Sequence, residues 1–356
     1  MTVTTHLNEL PEGDAQDFRT IVRLLRALPE AEPPSGLHGR ILARLPQRRR
    51  RSKVWWWAAA AASLAASLAL LNHRPAADAN IHWLLAHQEA DGTWDPARHG
   101  GTEAFRPALT ALSVLALRQA SFLFNHNGHK EQISKGVSAL AVLQTADGAF
   151  GGDSSQAQLY NLAVAAYALA VCGADGPALS RAVTQITACQ EPDGSWTYAG
   201  TREGNAAITA WMTRALAAAE ANGDAGASVP LRKGLRWLRD NVRDDGRMAY
   251  HPASAPSDTL TALSAYALIE AGKRFPGLQA LGIRMTDAIG VQPSDTVDCY
   301  RDYAKIIAFE SAGKTARAEN VRTQLRQRRD AGTQDQWRLA GGQLYTVALT
   351  TLCRVP

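Results

Sequence analysis

The sequence predicts an all-α protein: a series of helical hairpins that can close into a ring, preceded by one transmembrane helix and a short helical N-terminal segment. Hydrophobic residues make up 46% of the 356, and Ala and Leu, both strong helix formers, dominate them. A phrase containing Gln, Asp-Gly and an aromatic residue recurs about every fifty residues, as in stacked repeats. An uncharged stretch follows a basic run near the N-terminus.

Residues 1–53 are too few for a large core. The stretches "DFRTIVRLLRAL" (17–28) and "LHGRILARL" (37–45) have the apolar spacing of short amphipathic helices, and the proline-rich "PEAEPPSG" separates them. These residues therefore form a small helical head that ends in the basic run Arg48–Lys53.

The stretch Val54–Leu71 carries no charge over eighteen residues. As a helix it would be about 27 Å long, close to the thickness of a bilayer core. Residues 40–53 hold seven Lys and Arg, whereas residues 72–91 hold one, so the positive-inside rule places the N-terminus in the cytoplasm. The basic run is then a membrane flank rather than a nucleic-acid site. A cleaved signal peptide and a buried Ala-rich helix are the alternatives.

This N-terminal layout resembles the membrane-proximal part of bacterial anti-sigma factors: a short helical head, a helical approach and one membrane helix. The resemblance implies a protein of the bacterial inner membrane, with a sigma factor as a partner of residues 1–53. The His/Cys zinc cluster of many such heads is absent, because the first cysteine is Cys172. A linker, 72–79, would lead to a domain of residues 80–356 outside the cytoplasm.

Four repeat units are clear in that domain, and two eroded units follow them. They comprise residues 81–120, 136–173, 182–223, 234–272, 298–313 and 329–352. Each complete unit has two helical segments, of which the second is apolar on more than one face and is therefore predicted to lie inside. Six such hairpins can close into a ring, and an open solenoid is the alternative. The apolar ending "LYTVALTTL" favours docking of the last unit on the first.

The repeated phrase is Q-x-x-D-G-x-W/F. It comprises Gln88, Asp91, Gly92, Trp94, Gln144, Asp147, Gly148, Phe150, Gln190, Asp193, Gly194 and Trp196. The phrase resembles the prenyltransferase/squalene-oxidase repeat. That resemblance implies the (α/α)6 toroid of terpenoid cyclases and protein prenyltransferase β-subunits, in which the Gln and the aromatic residue connect neighbouring repeats. These twelve residues are accordingly expected to be structural.

The catalytic motifs of this family are incomplete. The D-x-D-D acid of squalene-type cyclases is absent, and the nearest carboxylates are Asp295, Asp298 and Asp302. Their spacing places them near one helical face. They could raise one another's pKa towards an acid role, or they could cap the helix and interact with its dipole.

Metal and thioester chemistry are also not expected. The segment Val297–Tyr300, "VDCY", resembles part of a prenyltransferase zinc site, but Thr346 stands where the family has its histidine. A catalytic zinc needs three protein ligands. None of the four cysteines lies in the Cys-Gly-Glu-Gln motif of complement-type thioester rings. The sequence thus predicts no metal or cofactor and favours binding over catalysis.

A toroid implies a central cavity, and the rim loops and inner helices offer residues to line it. The candidates are Phe105, Asp153, Tyr160, Trp211, His251, Asp258, Tyr266, Tyr300 and Tyr345. The predicted function is a membrane-anchored, non-catalytic toroid that binds an apolar ligand, a peptide or a protein partner, with anti-sigma-like signalling through the head. A cyclase or prenyltransferase acting on a polyprenyl lipid is the enzymatic alternative, and an assembly protein is the third. No nucleic-acid partner is expected.

Overall fold

The computed structural model describes residues 75–124, 129–151, 155–173, 176–198, 203–251, 253–292, 297–330 and 338–354. All of them belong to one compact unit, Ala69–Pro356. These residues contain twelve α-helices and no strand longer than an isolated bridge. In chain order the helices are α1 (Pro75–Ala86), α2 (Arg106–Phe124), α3 (Lys130–Leu143), α4 (Ser155–Val171), α5 (Pro177–Ala188), α6 (Ala206–Ala221), α7 (Ser228–Asp240), α8 (Asp258–Gly272), α9 (Pro276–Met285), α10 (Cys299–Ser311), α11 (Thr315–Asp330) and α12 (Arg338–Leu352).

Odd-numbered helices lie outside and even-numbered helices lie inside. Twelve of the sixteen residues of α6 are buried, whereas α7 buries six of thirteen, all on one face. An inner helix is covered by its own partner and by both neighbouring inner helices, so it needs apolar or small residues all round. An outer helix needs only one apolar stripe. The two kinds of helix were predicted in this order from their polarity, and the prediction is confirmed.

The six inner helices form a closed ring. Each packs against the next in the chain, and α12 packs against α2 and α1. Asn80 Nδ2 donates to Thr350 Oγ1 at 3.3 Å, and Gln119 Nε2 donates to the carbonyl oxygen of Leu352 at 3.1 Å. An isolated antiparallel bridge between Gly101 and Gly341 adds a backbone contact. The predicted docking of the last unit on the first is confirmed, and the open solenoid is wrong.

The glutamine of the repeated phrase connects neighbouring hairpins. Gln144 Nε2 donates to the carbonyl oxygens of Gly148, at 3.1 Å, and of Ala178 at the start of α5, at 2.9 Å. Gln88 makes the equivalent pair of bonds to Gly92 and Gln132, and Gln190 makes it to Gly194 and Pro230. One amide group therefore closes its own turn and binds the next outer helix.

The glycine of the phrase allows this close approach. Gly92, Gly148 and Gly194 have φ values of +88°, +90° and +97°. A Cβ there would overlap the backbone of the next outer helix, at Lys135, Arg181 and Lys233. Trp94 and Trp196 then fold back and donate to carbonyl oxygens of their own outer helices, at 2.7 and 2.8 Å. Phe150, which has no such donor, is fully buried in the corresponding position.

The prediction of a single-pass membrane protein of the bacterial inner membrane needs correction. Across the described residues, none of the helices has both the length and the apolar character that a bilayer crossing requires. The predicted head, 1–53, and the predicted membrane segment, Val54–Leu71, lie outside the described residues.

Candidate functional site: an aromatic bowl

A cavity of about 420 Å³ opens at the end of the ring where the inner helices begin. We call it the aromatic bowl, because six aromatic side chains line it with a single carboxylate. Its lining comprises Phe105, Leu109, Tyr160, Tyr198, Ala207, Tyr250, Ser257, Thr259, Leu260, Asp298, Tyr300, Gly341 and Tyr345. Its volume falls within the range of small-molecule sites, about 300–1,000 Å³.

The bowl has this composition because each hairpin contributes the residues at the start of its inner helix. Phe105 immediately precedes α2, and Tyr160 lies in the second turn of α4, with their ring centroids 6.3 Å apart and edge to face. Ser257 caps α8 by accepting from the amide of Leu260. The amino ends of the inner helices thus face the bowl, and their dipoles favour electron-rich groups there.

Trp211 forms the floor beneath these rings. Its indole nitrogen donates to the hydroxyl of Tyr300 at 2.7 Å, and its ring packs edge to face against Tyr160 at 6.1 Å. Only 1% of Trp211 is exposed, so it supports the bowl without lining it. This bond holds the Tyr300 ring in a fixed orientation.

Four of the bowl tyrosines remain protonated at neutral pH. Burial raises the pKa of Tyr160, Tyr198, Tyr250 and Tyr300 above the usual value of 10.0. Each side chain therefore presents a flat apolar face and a hydroxyl that can both donate and accept a hydrogen bond. Such a surface suits a ligand that combines apolar faces with many hydroxyls.

Asp298 is the single carboxylate among the described lining residues. Its Oδ1 accepts from the amide of Arg301 at 2.9 Å, so it caps α10, and the residue is 6% exposed. Asp302, one turn later, binds Arg301 and Arg328 at 3.1 and 2.6 Å. Burial raises the pKa of Asp302, although both arginines oppose the shift. Asp302 lies outside the bowl, and Asp295 lies outside the described residues.

Three other cavity candidates do not line the bowl: Tyr266, His251 and Asp258. Tyr266 lines openings at the opposite end of the ring. His251 Nδ1 lies 2.9 Å from a carboxylate oxygen of Glu203 on the surface. Asp258 forms ion pairs with Arg247 and Lys305 at 3.2 and 2.8 Å. Asp153 lies outside the described residues.

Tyr198 and Tyr250 line the bowl, yet sequence reasoning did not select them. Both lie on loops that lead into inner helices rather than on the helices themselves. Each follows by two residues the position of the repeat aromatic, Trp196 in the third unit and Met248 in the fourth. Aligning the units from Trp196 and Met248 onward would have shown the two tyrosines in the same register.

Within the described part of the chain, no group of three or more His, Cys, Asp or Glu residues is placed to hold a metal ion. The bowl can therefore be described by its rings, its hydroxyls and one carboxylate.

Comparisons with known proteins relate the chain to two groups. The family model of the A-macroglobulin TED domain matches residues 49–191, less than half of the chain. A solved α-1,6-mannanase of glycoside hydrolase family 76 from Salegentibacter sp. HEL1_6, an inactive variant bound to α-1,6-mannotriose, is similar in fold. The TM-score is 0.59 at 11% identity, over 78% of this chain and 96% of the mannanase.

A second solved structure, a family 76 glycoside hydrolase from a bovine Bacteroides thetaiotaomicron strain, aligns with a TM-score of 0.51 at 10% identity. That alignment covers 79% of this chain and 77% of the hydrolase. Among curated proteins, none matches the sequence. These likenesses support an all-α toroid as the fold.

Two predictions are wrong in the light of these matches. The family model is that of a TED domain and the solved structures are family 76 glycoside hydrolases, rather than members of the prenyltransferase/squalene-oxidase family. The membrane-anchored, non-catalytic binding toroid and the polyprenyl cyclase or transferase alternative both lose their basis. The repeat phrase was a misleading guide to the family because its residues build turns and contacts between hairpins and do not line the bowl.

The mannanase variant is inactive through replacement of two consecutive aspartates. This chain has one Asp-Asp pair, Asp244 and Asp245. Both residues are exposed on the turn after α7, where Asp245 accepts from the amide of Arg247 at 2.9 Å. Neither residue lines the bowl.

Proposed function

We propose that the aromatic bowl binds a segment of an oligosaccharide chain. The observation that carries the proposal is the convergence of six aromatic side chains and one buried carboxylate at the amino ends of the inner helices. Aromatic rings pack on the apolar C–H faces of sugars, while tyrosine hydroxyls and the carboxylate can bind sugar hydroxyls. The α-1,6-mannotriose bound to the similar mannanase makes α-1,6-linked mannose the first ligand to test.

Hydrolysis is the second function to test, because the proteins similar in fold are glycoside hydrolases. Glycoside hydrolases generally use a pair of carboxyl groups, about 5–5.5 Å apart in retaining enzymes and about 6.5–9.5 Å apart in inverting ones. The described lining of the bowl contains one carboxyl group, that of Asp298. Asp258, the nearby carboxylate at the start of α8, is neutralised by Arg247 and Lys305.

Titration calorimetry with α-1,6-mannotriose tests the proposal, with maltotriose as a comparison. Tyr250→Ala is the informative variant, because Tyr250 lines the bowl and is 47% exposed, so its removal leaves the core intact. We expect about tenfold weaker binding, as for loss of one aromatic stacking contact. Phe122→Ala, an exposed aromatic residue on α2, is the matched control and should bind as the wild type does.

The proposal is contradicted if the protein binds neither α-1,6-mannotriose nor maltotriose. Equal losses of sugar affinity in Tyr250→Ala and Phe122→Ala would also contradict it. Incubation with α-1,6-mannan gives the second readout. If the wild-type protein releases reducing ends from the mannan and Asp298→Asn does not, the function of the bowl is hydrolysis rather than binding.

A further inference from the structure

Arg214 is a buried cation at the centre of the ring. It is 4% exposed and lies on α6, one turn below the floor residue Trp211. Its guanidinium carbon lies 4.1 Å from the centroid of the Trp211 ring and 4.6 Å from those of Tyr167 and Tyr266. Aromatic faces therefore surround the charge on several sides.

The hydrogen bonds of this guanidinium are incomplete. Nη2 donates to the hydroxyl of Tyr303 at 3.1 Å, but Nε and Nη1 reach no acceptor among the described residues. A buried charge that lacks a counter-ion is costly, and contacts with ring faces offset only part of that cost. An anion beside Nε and Nη1 would supply the acceptors that the described residues do not.

A second cavity, of about 260 Å³, gives access to Arg214 from the end of the ring opposite the bowl. We call it the C-terminal cavity, because the carboxyl ends of the inner helices surround it. Arg118, Phe122, Tyr167, Arg214, Tyr266 and Tyr303 contribute to its lining. Trp211 separates it from the bowl, since its nitrogen binds Tyr300 on one side and its ring stacks on Arg214 on the other.

The charge around this cavity is positive. Its lining contains three arginines, Arg118, Arg214 and Arg354, and one carboxylate, Glu310. Glu310 already forms ion pairs with Arg322 and, at 3.3 Å, with Arg354. Arg118 is exposed and forms no ion pair within the described part of the chain. The carbonyl ends of the inner helices oppose an anion here, so attraction must come from these arginines.

The wall of the C-terminal cavity is apolar. Leu115 and Leu352 line it, and the ring of Phe122 stands 87% exposed at its rim. An aromatic side chain with that exposure is available to cover a ligand. We propose that the C-terminal cavity binds an organic carboxylate with an apolar body: Arg214 and Arg118 bind the carboxylate, and Phe122 with its neighbours packs on the apolar part. This site is independent of the sugar site proposed for the bowl.

Titration calorimetry on the full chain with octanoate tests the proposal, with octanol as its uncharged analogue and inorganic phosphate as its anion without an apolar part. We expect octanoate to bind and octanol and phosphate to bind at least about tenfold more weakly. Arg118→Gln, a surface change that leaves the core intact, should weaken octanoate binding by about tenfold, as loss of a charged hydrogen bond does. Phe122→Ala should weaken it several-fold.

Tyr250→Ala is the matched control, because it alters the opposite end of the ring and should leave octanoate binding unchanged. Arg214→Lys keeps the charge but loses the planar donor, and should abolish binding while circular dichroism shows a folded helical protein. Equal affinity for octanoate and octanol, tighter binding of phosphate, or wild-type affinity in Arg118→Gln would each overturn the proposal. Should Arg214→Lys fail to fold, Arg118→Gln and the two analogues still decide it.

Discussion

Buried tyrosines on the inner helices affect how this protein responds to pH. Tyr160, Tyr266, Tyr300 and Tyr303 lie on inner helices, and burial raises the pKa of each above the usual 10.0. A tyrosinate anion in these positions would lose its hydration, and contacts within the protein would replace little of that stabilisation. The folded state therefore holds these protons at a pH where the unfolded chain has released them.

We predict that the protein loses stability as the pH rises above about 10. The unfolded state then binds fewer protons than the folded state, so the free energy of unfolding falls with pH until the raised folded-state pKa values are passed. The free energy of unfolding falls by about 1.4 kcal/mol per pH unit for each tyrosine that stays protonated in the folded state. Urea denaturation between neutral pH and pH values above 10 measures it, and the ultraviolet absorbance of tyrosinate shows when the groups ionise. Titration of these four groups near pH 10 in the folded protein would contradict the prediction.

The composition of the bowl was only partly predictable from sequence. Phe105, Tyr160, Tyr300 and Tyr345 could be selected because they are aromatic residues on predicted inner helices. Trp211 and Tyr266 share that signal but lie deeper, on the floor and at the opposite end. Depth along an inner helix depends on where the helix begins, and sequence reasoning places helix ends only to within a few residues. Tyr198 and Tyr250 were missed because they lie on loops.

At the scale of the element, the turn between outer and inner helices is what repeats. A glutamine amide binds two carbonyl oxygens and a glycine lets the next outer helix approach, so one short segment fixes both a turn and an inter-hairpin contact. The fourth unit shows what happens without the glutamine. Val242 stands in its place. The amide of the preceding Asn241 binds the carbonyl oxygen of Trp237 in its own helix, and Gly246 leaves more space, with Ala288 at 3.7 Å.

We predict that Gly148→Ala destabilises the protein far more than Gly173→Ala. Both glycines have positive φ, +90° and +67°, so each alanine suffers about 1–2 kcal/mol of backbone strain. Only at Gly148 would the new methyl group also overlap a neighbouring carbonyl, that of Arg181, whereas nothing lies within 4 Å of Gly173. Overpacking adds about 1–3 kcal/mol. Free energies of unfolding from urea titrations measure the difference, and equal losses would show that backbone contact is unimportant.

The order of inner and outer helices could be read from polarity, because burial on all sides and burial on one side demand different residue patterns. The outer helices of the eroded fifth and sixth units were harder to predict from sequence, since α9 and α11 lack the repeated phrase. Helix α11, with four buried residues of sixteen, has too few apolar positions for a clear periodicity. Its identity as an outer helix depends on contacts with α10 that are set by the ring.

For the whole molecule, closure makes the last hairpin as important as any other. Leu349 is fully buried and lies on α12, the helix that packs on the first hairpin. We predict that Leu349→Ala lowers the free energy of unfolding by about 2–5 kcal/mol, as for other buried leucines. Val142→Ala, at a site 84% exposed on the outer helix α3, should change it by less than about 0.5 kcal/mol.

The shape of the unfolding curve of Leu349→Ala is a second test of whether the ring is closed. In a closed ring Leu349→Ala should shift a single urea transition without changing its slope, because the whole ring unfolds together. A separate transition at lower urea concentration, confined to the last hairpin, would indicate that the hairpins unfold independently, as in an open solenoid.

The family was the least predictable property at this scale. The residues of the repeat phrase build turns and contacts between hairpins, so the phrase identified the architecture but pointed to the wrong relatives.

The contact between the first and last hairpins also determines where new chain ends can be introduced. Asn80 and Thr350 are hydrogen-bonded neighbours, so a short linker from the end of α12 to the start of α1 would span little distance. New chain ends could then be opened in an exposed connection between hairpins, such as that around Gly223 after α6. A circularly permuted chain of this kind should rebuild the same ring, with the order of its hairpins rotated and both cavities retained.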